Sequence, residues 1–378
     1  MTAPRLEVDA LLADQATKII VCCGAGGVGK TTTAAALGLR AAEVHGRRTV
    51  VLTIDPARRL AQSMGLTELD NTPRQVKGID TEDTGGELHA MMLDMKRTFD
   101  EVVQQHTTPQ RAAEIFANPF YQAMSSTFSG TQEYMAMEKL GQLRLADEWD
   151  LIVVDTPPSR SALDFLDAPA RLSRFLDGRM LRMLLAPARS GGRSMFSLVT
   201  ASFGLFSRAV QKILGAQLLT DLSGFVAALD SMFGGFRQRA DETYRILQDP
   251  QTAFLLVAAP ERDAVREAAY FAERLVAERM PLAGLVLNRI HRAEFDTIPA
   301  SAAETAAAKL DALGDQQVTA DALRIHAGLL RQTEREVRVA AAFTDQFPQV
   351  PSVAVTAQPA DVHDVDGLRT IGTALTAV

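Results

Sequence analysis

The chain has 378 residues, 47% hydrophobic and 22% charged, enough to bury a large core as one big domain or two. Its net charge of −7 gives no support to nucleic-acid binding as the main task, and no nucleic acid is expected as a partner. Its two cysteines, Cys22 and Cys23, are adjacent, which excludes a disulfide framework and a Cys-x-x-Cys zinc site, so no zinc is expected.

At the N-terminus Glu7, Asp9 and Asp14 interrupt any apolar core, which excludes a signal peptide. A first strand is predicted over 18–23, and it runs straight into Gly24-Ala25-Gly26-Gly27-Val28-Gly29-Lys30-Thr31-Thr32. This is a phosphate-binding loop. Its glycines let backbone N–H groups turn inward around a polyphosphate, the following helix presents its positive end, Lys30 adds a point charge, and the Thr31 hydroxyl can ligate Mg²⁺. Gly24, Gly26 and Gly29 also satisfy the Gly-x-Gly-x-x-Gly fingerprint of dinucleotide sites, for which Asp55 is the candidate ribose acid. Lys30-Thr31 favours a nucleoside triphosphate with Mg²⁺, which needs both residues where a dinucleotide needs neither.

The next strands are predicted over 48–55 and 87–94, followed by a helical stretch over 96–142 that is broken at Asn118-Pro119. A strand over 151–155 ends in Asp155, whose carboxylate is expected in the Mg²⁺ shell beside Thr31. Asp55, at the matching end of the neighbouring strand, is placed to orient or deprotonate the attacking water. From 169 to 248 strand signals give way to helical spacing. Val199, Phe203, Phe206, Val210 and Ile213 recur at intervals of four, three, four and three, and Leu218, Leu222, Phe225, Leu229, Met232 and Phe236 continue the pattern. Met180, Met183, Met195 and Phe196 belong to the same stripe, which reads either as core between helices or as an exposed groove for an apolar client helix.

Strands over 253–258, 282–288 and 352–356 follow, with an Ala-rich helical region over 300–343 that is assigned no chemistry. Short β-branched runs alternating with helices predict an α/β fold: a doubly wound, mainly parallel sheet covered on both faces. The expected division is a core of 1–168 and 249–378, with 169–248 as an inserted helical subdomain that the helical stretch over 96–142 joins. Ligands of such sheets sit at the carboxyl ends of strands, where Gly24, Asp55, Asp155 and Asn288 fall. The uncharged run 194–207 is too short to span a membrane, and a cytoplasmic location is expected.

The phosphate loop, Thr53-Ile54-Asp55-Pro56-Ala57 and Asp155-Thr156-Pro157-Pro158-Ser159 together resemble the deviant Walker A, switch I and switch II segments of the ArsA family of P-loop ATPases. The family includes the arsenite-pump ATPase and the ATPase that targets tail-anchored membrane proteins. The resemblance implies ATP and Mg²⁺ as ligands, Asn288 as the residue that reads adenine, and 356–361 as the adenine-side loop. It also implies a dimer closing around ATP, with the helical insertions forming a joint surface for a client or a membrane partner. Three departures stand out. Ala25 occupies the place of the family's signature lysine, which implies either weak hydrolysis, a substitute such as Arg160, or a heterodimer with a paralogous ATPase, a homodimer remaining the alternative. Arsenite-ligating cysteines are absent, as is the cysteine pair through which some targeting ATPases share zinc. The alternatives carried forward are a nucleotide-holding regulatory subunit, a partitioning ATPase and an NAD-binding protein.

Overall fold

In the computed structural model the described residues are 4–55, 59–66, 69–119, 121–122, 131–157, 238–239, 241–293, 295, 297–314 and 316–377. They fall into two compact units, one drawn from Met1–Met92, Leu143–Leu163 and Ile246–Val378 and the other from Leu93–Gln142 and Asp164–Arg245.

The first unit is organised by strands that are buried at every position. Ile19–Cys23 (β1) and Leu151–Asp155 (β5) are each buried along their whole length, as is Thr252–Ala258 (β6), and such uninterrupted runs form only where helices cover both faces of a sheet. Arg48–Thr53 (β2), Arg74–Gln75 (β3), Glu87–Met92 (β4), Leu282–Ile290 (β7) and Ser352–Thr356 (β8) complete an eight-stranded sheet in the order β3-β4-β2-β5-β1-β6-β7-β8. Every pairing is parallel except that of β3, a two-residue antiparallel edge strand. The expected doubly wound, mainly parallel sheet is therefore present, and β3 is an addition to it.

The chain enters the sheet at β1 and crosses through helix Lys30–Glu43 (α2) to β2, leaving room for β5 between them. The order reverses at β1, so the crevice at its carboxyl end is the topological switch point of the sheet. The register sets Asp155 beside both Cys22 and Thr53, at one level across three strands. Helix α2 packs against the sheet through small residues: Ala34, Ala35, Ala36, Ala41 and Ala42 are all fully buried.

At the opposite edge of the sheet Arg47 is buried at 1% exposure. Its guanidinium donates to the carbonyls of Leu12, Asp14, Thr17 and Asp150, tying the segments that lead into β1, β2 and β5. The short helix Val8–Ala13 (α1) is fastened to α2 by a bidentate Arg40–Asp9 pair that His45 joins. Arg40 holds the Asp9 carboxyl down at about 2.

The rest of the first unit comprises Arg59–Ser63 (α3), Arg262–Ala277, Ala300–Leu313, Gln317–Gln346 and Val365–Ala374. The second contains Met95–His106 (α4), Pro109–Ala117 (α5) and most of Thr131–Ala146 (α6). In chain order the four later helices are α7 to α10. The single helical region expected over 300–343 is two helices, because Gly314 adopts a left-handed backbone (φ 68°) and caps α8 before α9 begins. The stretch expected over 96–142 breaks twice among the described residues. Asn118 ends α5 where expected, and an extended Thr107 with Thr108 as N-cap and Pro109 as first residue separates α4 from α5.

Within the second unit Tyr121 is fully buried, its hydroxyl donating to Asp100, while Arg239 pairs with the buried Glu138. The proposed insertion over 169–248 lies outside the described residues apart from 238–239 and 241–248, as do Met180, Phe203, Arg160 and the rest of the expected apolar stripe.

Candidate functional site

The phosphate loop stands where the sheet order reverses. Gly24 leaves β1 with φ 154°, and a Cβ at that position would lie 2.0 Å from the Val257 carbonyl oxygen, so only glycine allows the loop to start against β6. Gly29 has φ 95° and is the N-cap of α2, with no side-chain cap. A Cβ on Gly29 would lie 2.2 Å from the Asn288 amide nitrogen. The first turn of α2 also lacks an acidic residue, so its free N–H groups and the positive end of the helix dipole are offered to an anion. Gly26 and Gly27 form the exposed tip of the loop, while Val28 is buried and Thr32 half-buried.

Lys30 is 7% exposed, and its Nζ donates to the Ala25 carbonyl at 2.7 Å, folding the side chain back along the loop. Burial pulls its pKa below the ordinary lysine range, while the carboxylates of Asp155 and then Asp55 act against that. The ammonium thus borders the inner face of the loop, where a phosphate would replace part of its lost solvation.

Asp155 is fully buried. Thr31 Oγ1 donates to its Oδ2 at 2.7 Å and Thr53 Oγ1 donates to the same oxygen at 2.9 Å. The other carboxylate oxygen, Oδ1, is buried with no hydrogen-bond partner among the described residues. Burial raises this carboxyl to about 6 against the opposing effects of Thr31, Thr53 and Lys30. An orphaned buried carboxylate oxygen costs a few kcal/mol, on the order of 1–3, until a ligand meets it.

The donor set fits Mg²⁺. One carboxylate and one hydroxyl are hard oxygen donors, and Mg²⁺ takes one or two carboxylates and completes its shell with waters and phosphate oxygens. Among the described residues no three His, Cys, Asp or Glu side chains converge on a metal position, so an all-protein metal cage is not formed there. Asp155 also orients Thr31: by accepting the hydroxyl hydrogen it leaves the Thr31 oxygen lone pairs for a cation.

Asp55 is half-buried two residues beyond β2, close enough for its charge to act on both Lys30 and Asp155. Asn288 is 8% exposed, and its Nδ2 donates to the Val28 carbonyl at 2.8 Å, so its amide is fastened to the phosphate loop. Gly24, Lys30, Thr31, Asp55, Asp155 and Asn288 therefore gather at one edge of the sheet. Arg160 lies outside the described residues.

Two site residues had not been singled out. Thr53 shares Oδ2 of Asp155 with Thr31, and Thr156 donates to the Cys22 carbonyl at 2.8 Å, fixing the turn after β5 to β1. Both lie inside segments that carry chemistry, at the strand ends beside Asp55 and Asp155.

The thiols are not part of this chemistry. Cys22 and Cys23 are buried in β1, and burial pushes Cys23 up to about 12 and Cys22 well above the ordinary thiol range, so both stay protonated and unreactive.

On the outer side of the loop a depression of about 440 Å³ is lined by Ala25, Gly26, Gly27 and Val28 facing Glu261, Asp263 and Arg266 at the start of α7. The Ala25 side chain packs into the hydrophobic core at 8% exposure and brings no charge to this face.

This geometry coincides with what the comparison with known proteins finds. Residues 17–309 match the ArsA ATPase family, described as anion-transporting ATPases, a span that holds the loop, Asp55, Asp155 and Asn288 but not 356–361. The chain belongs to the ArsA ATPase family. It is similar to ATPase GET3 of Malassezia globosa, with 27% identity over 272 residues, 71% of this chain and 70% of the relative. ATPase GET3B of Arabidopsis thaliana is 25% identical over 313 residues, 75% of this chain and 67% of the relative. ATPase ASNA1 homolog 1 of Paramecium tetraurelia is 24% identical over 290 residues, 74% and 77% of the two chains. The ArsA family's mostly parallel sheet and flanking helices are those described here. Among the described residues of this ArsA member no helix is long and apolar enough to cross a membrane.

Proposed function

We propose that the chain binds and hydrolyses Mg-ATP at this site and couples its nucleotide state to binding of a client or membrane partner, in the cytoplasm. The observation that carries the reading is the bond between Thr31 and the buried Asp155 beside Lys30, at the mouth of a glycine loop that opens a helix. A dinucleotide site has no use for that arrangement, which argues against the NAD reading.

In this reading the loop from Gly24 and from Gly26, Gly27 and Val28 through Gly29, Lys30, Thr31 and Thr32 holds the phosphates with its N–H groups, and Lys30 exchanges the Ala25 carbonyl for phosphate oxygens. Thr31 and Asp155 hold Mg²⁺, which when bound neutralises charge on the terminal phosphates. Asp55 orients the attacking water and accepts its proton. Asn288, fixed to the loop, faces the base.

By the family resemblance the chain works as a dimer. Since Ala25 is uncharged and buried, the partner is a paralogous subunit that supplies a lysine, or Arg160 substitutes for it. The same observation favours a second reading, a nucleotide-holding regulatory subunit with little hydrolysis of its own.

The test is phosphate release from Mg-ATP by the purified chain, with Lys30→Ala as the blank. Turnover well above the blank supports a self-sufficient ATPase. ATP binding without turnover selects the regulatory reading, and absence of ATP binding overturns both.

A further inference from the structure

Strand β7 carries Asn288 and then departs from regular pairing. Leu287 pairs with Ala354 and Ile290 with Thr356, so β7 spends one more residue than β8 between the two pairs. This is a bulge in a parallel pair, a rare form, and bulges re-aim side chains beside functional sites. Arg289, inside the bulge, has φ 61°, a left-handed backbone for a non-glycine residue at a cost of about 1 kcal/mol. Something must hold it.

The next residues are held by α9. The His291 backbone N–H donates to Glu336 Oε2 at 2.7 Å, and its ring Nδ1 lies 2.7 Å from Glu336 Oε1. With its hydrogen on Nδ1 the ring donates to the Glu336 carboxylate; Gln332 Nε2 also lies 2.9 Å from the same nitrogen. Thr333 Oγ1 donates to the His291 carbonyl at 3.1 Å, and Gln332 Nε2 donates to Glu336 Oε1 at 3.0 Å. Glu336 is buried at 7% exposure, between the exposed Arg335 and Val337 of α9. Its burial is offset by bonds from the His291 backbone and ring and from Gln332.

We infer that Glu336 is a positioning residue of the nucleotide site: through His291 it fixes the bulge that aims Asn288 at the phosphate loop. The relay runs from α9 through His291 and the strained Arg289 to Asn288, and from its Nδ2 to the Val28 carbonyl, next to the N-cap of α2. Loosening Glu336 frees the bulge to relax, withdraws the Asn288 amide and leaves the loop unpropped at Val28. The inference rests on the nucleotide reading above.

The test is a double-mutant cycle on Mg-ATP affinity, measured by displacement of a fluorescent ATP analogue, with circular dichroism as a check on folding. Glu336→Ala and Asn288→Ala are each expected to weaken binding about tenfold, and the double variant to lose no more than Asn288→Ala alone, because both act through one amide. Glu336→Gln keeps an acceptor for the His291 N–H and is expected to lose less than threefold. Where the alanine variant fails to fold, Glu336→Met, which fills the same space without an acceptor for His291, closes the same cycle with Asn288→Ala. Glu334→Ala, two residues earlier on the exposed side of α9, is expected to leave affinity unchanged. Wild-type affinity in Glu336→Ala, or losses that simply multiply in the double variant, overturns the inference. Failure of the nucleotide reading looks different: the wild type does not bind Mg-ATP, or Lys30→Ala binds it equally well, and the inference falls with it.

Discussion

Asp155 shows how function opposes stability at a single residue. A carboxylate with one oxygen engaged by two threonines and the other orphaned is poorly placed in a metal-free protein, which is why burial lifts it to about 6. Replacing it with the neutral isostere Asn removes the buried charge, so Asp155→Asn is expected to stabilise the metal-free protein by about 2 kcal/mol at neutral pH. The same substitution is expected to lower turnover by at least about 100-fold, because a neutral amide oxygen is a far weaker cation ligand than a carboxylate. Thermal unfolding in EDTA at pH 7.5, paired with the phosphate-release assay, checks both arms. A lower melting temperature for Asp155→Asn would mean that the carboxylate is satisfied in a way this account does not contain. At this scale most of the site was legible in the sequence. Lys30 and Thr31 are fixed by the loop motif, and Asp155 and Asp55 by ending apolar runs. Thr53 was not singled out, because a threonine ending a strand is ordinary and only the register beside Asp155 gives it a role.

Among the elements, the strands were legible where burial on both faces leaves an unbroken apolar run, as in β1, β5 and β6. Two-residue β3 offers no periodicity to read, and its pairing with β4 is made by the chain folding back. The split of the 300–343 region depends on one residue, Gly314, in a stretch whose alanines favour helix on both sides. The clamp between His291 and Glu336 joins residues 45 apart in sequence, and no local pattern announces it. Arg47 illustrates the same limit: an arginine between α2 and β2 reads as a surface charge, yet from the start of β2 its guanidinium gathers carbonyls ahead of β1 and β5. Removing it leaves several buried acceptors without donors. Arg47→Met is expected to cost about 3 kcal/mol, and Arg47→Lys to recover less than half, since one ammonium cannot reproduce the planar fork. Urea denaturation reads this directly, and a loss below about 1 kcal/mol for Arg47→Met would refute the assigned role.

For the whole molecule, the sheet order places the glycine loop, Asp55, Asp155 and Asn288 at one edge while Arg47 secures the other, so chemistry and anchoring are separated by the length of the strands. The family followed from short segments at strand ends, and the parallel sheet from β-branched runs alternating with helices. The client surface does not follow in the same way, because its candidate stripe lies outside the described residues. The central claim is that Lys30, Thr31 and Asp155 form one site for a magnesium-bound triphosphate. The most direct measurement is calorimetric titration of ATP into the wild type and Asp155→Ala, each with Mg²⁺ and with EDTA. The account predicts that Mg²⁺ tightens ATP binding at least about tenfold in the wild type and leaves the variant unaffected. Equal affinity with and without Mg²⁺ in the wild type, or the same Mg²⁺ gain in Asp155→Ala, would contradict it.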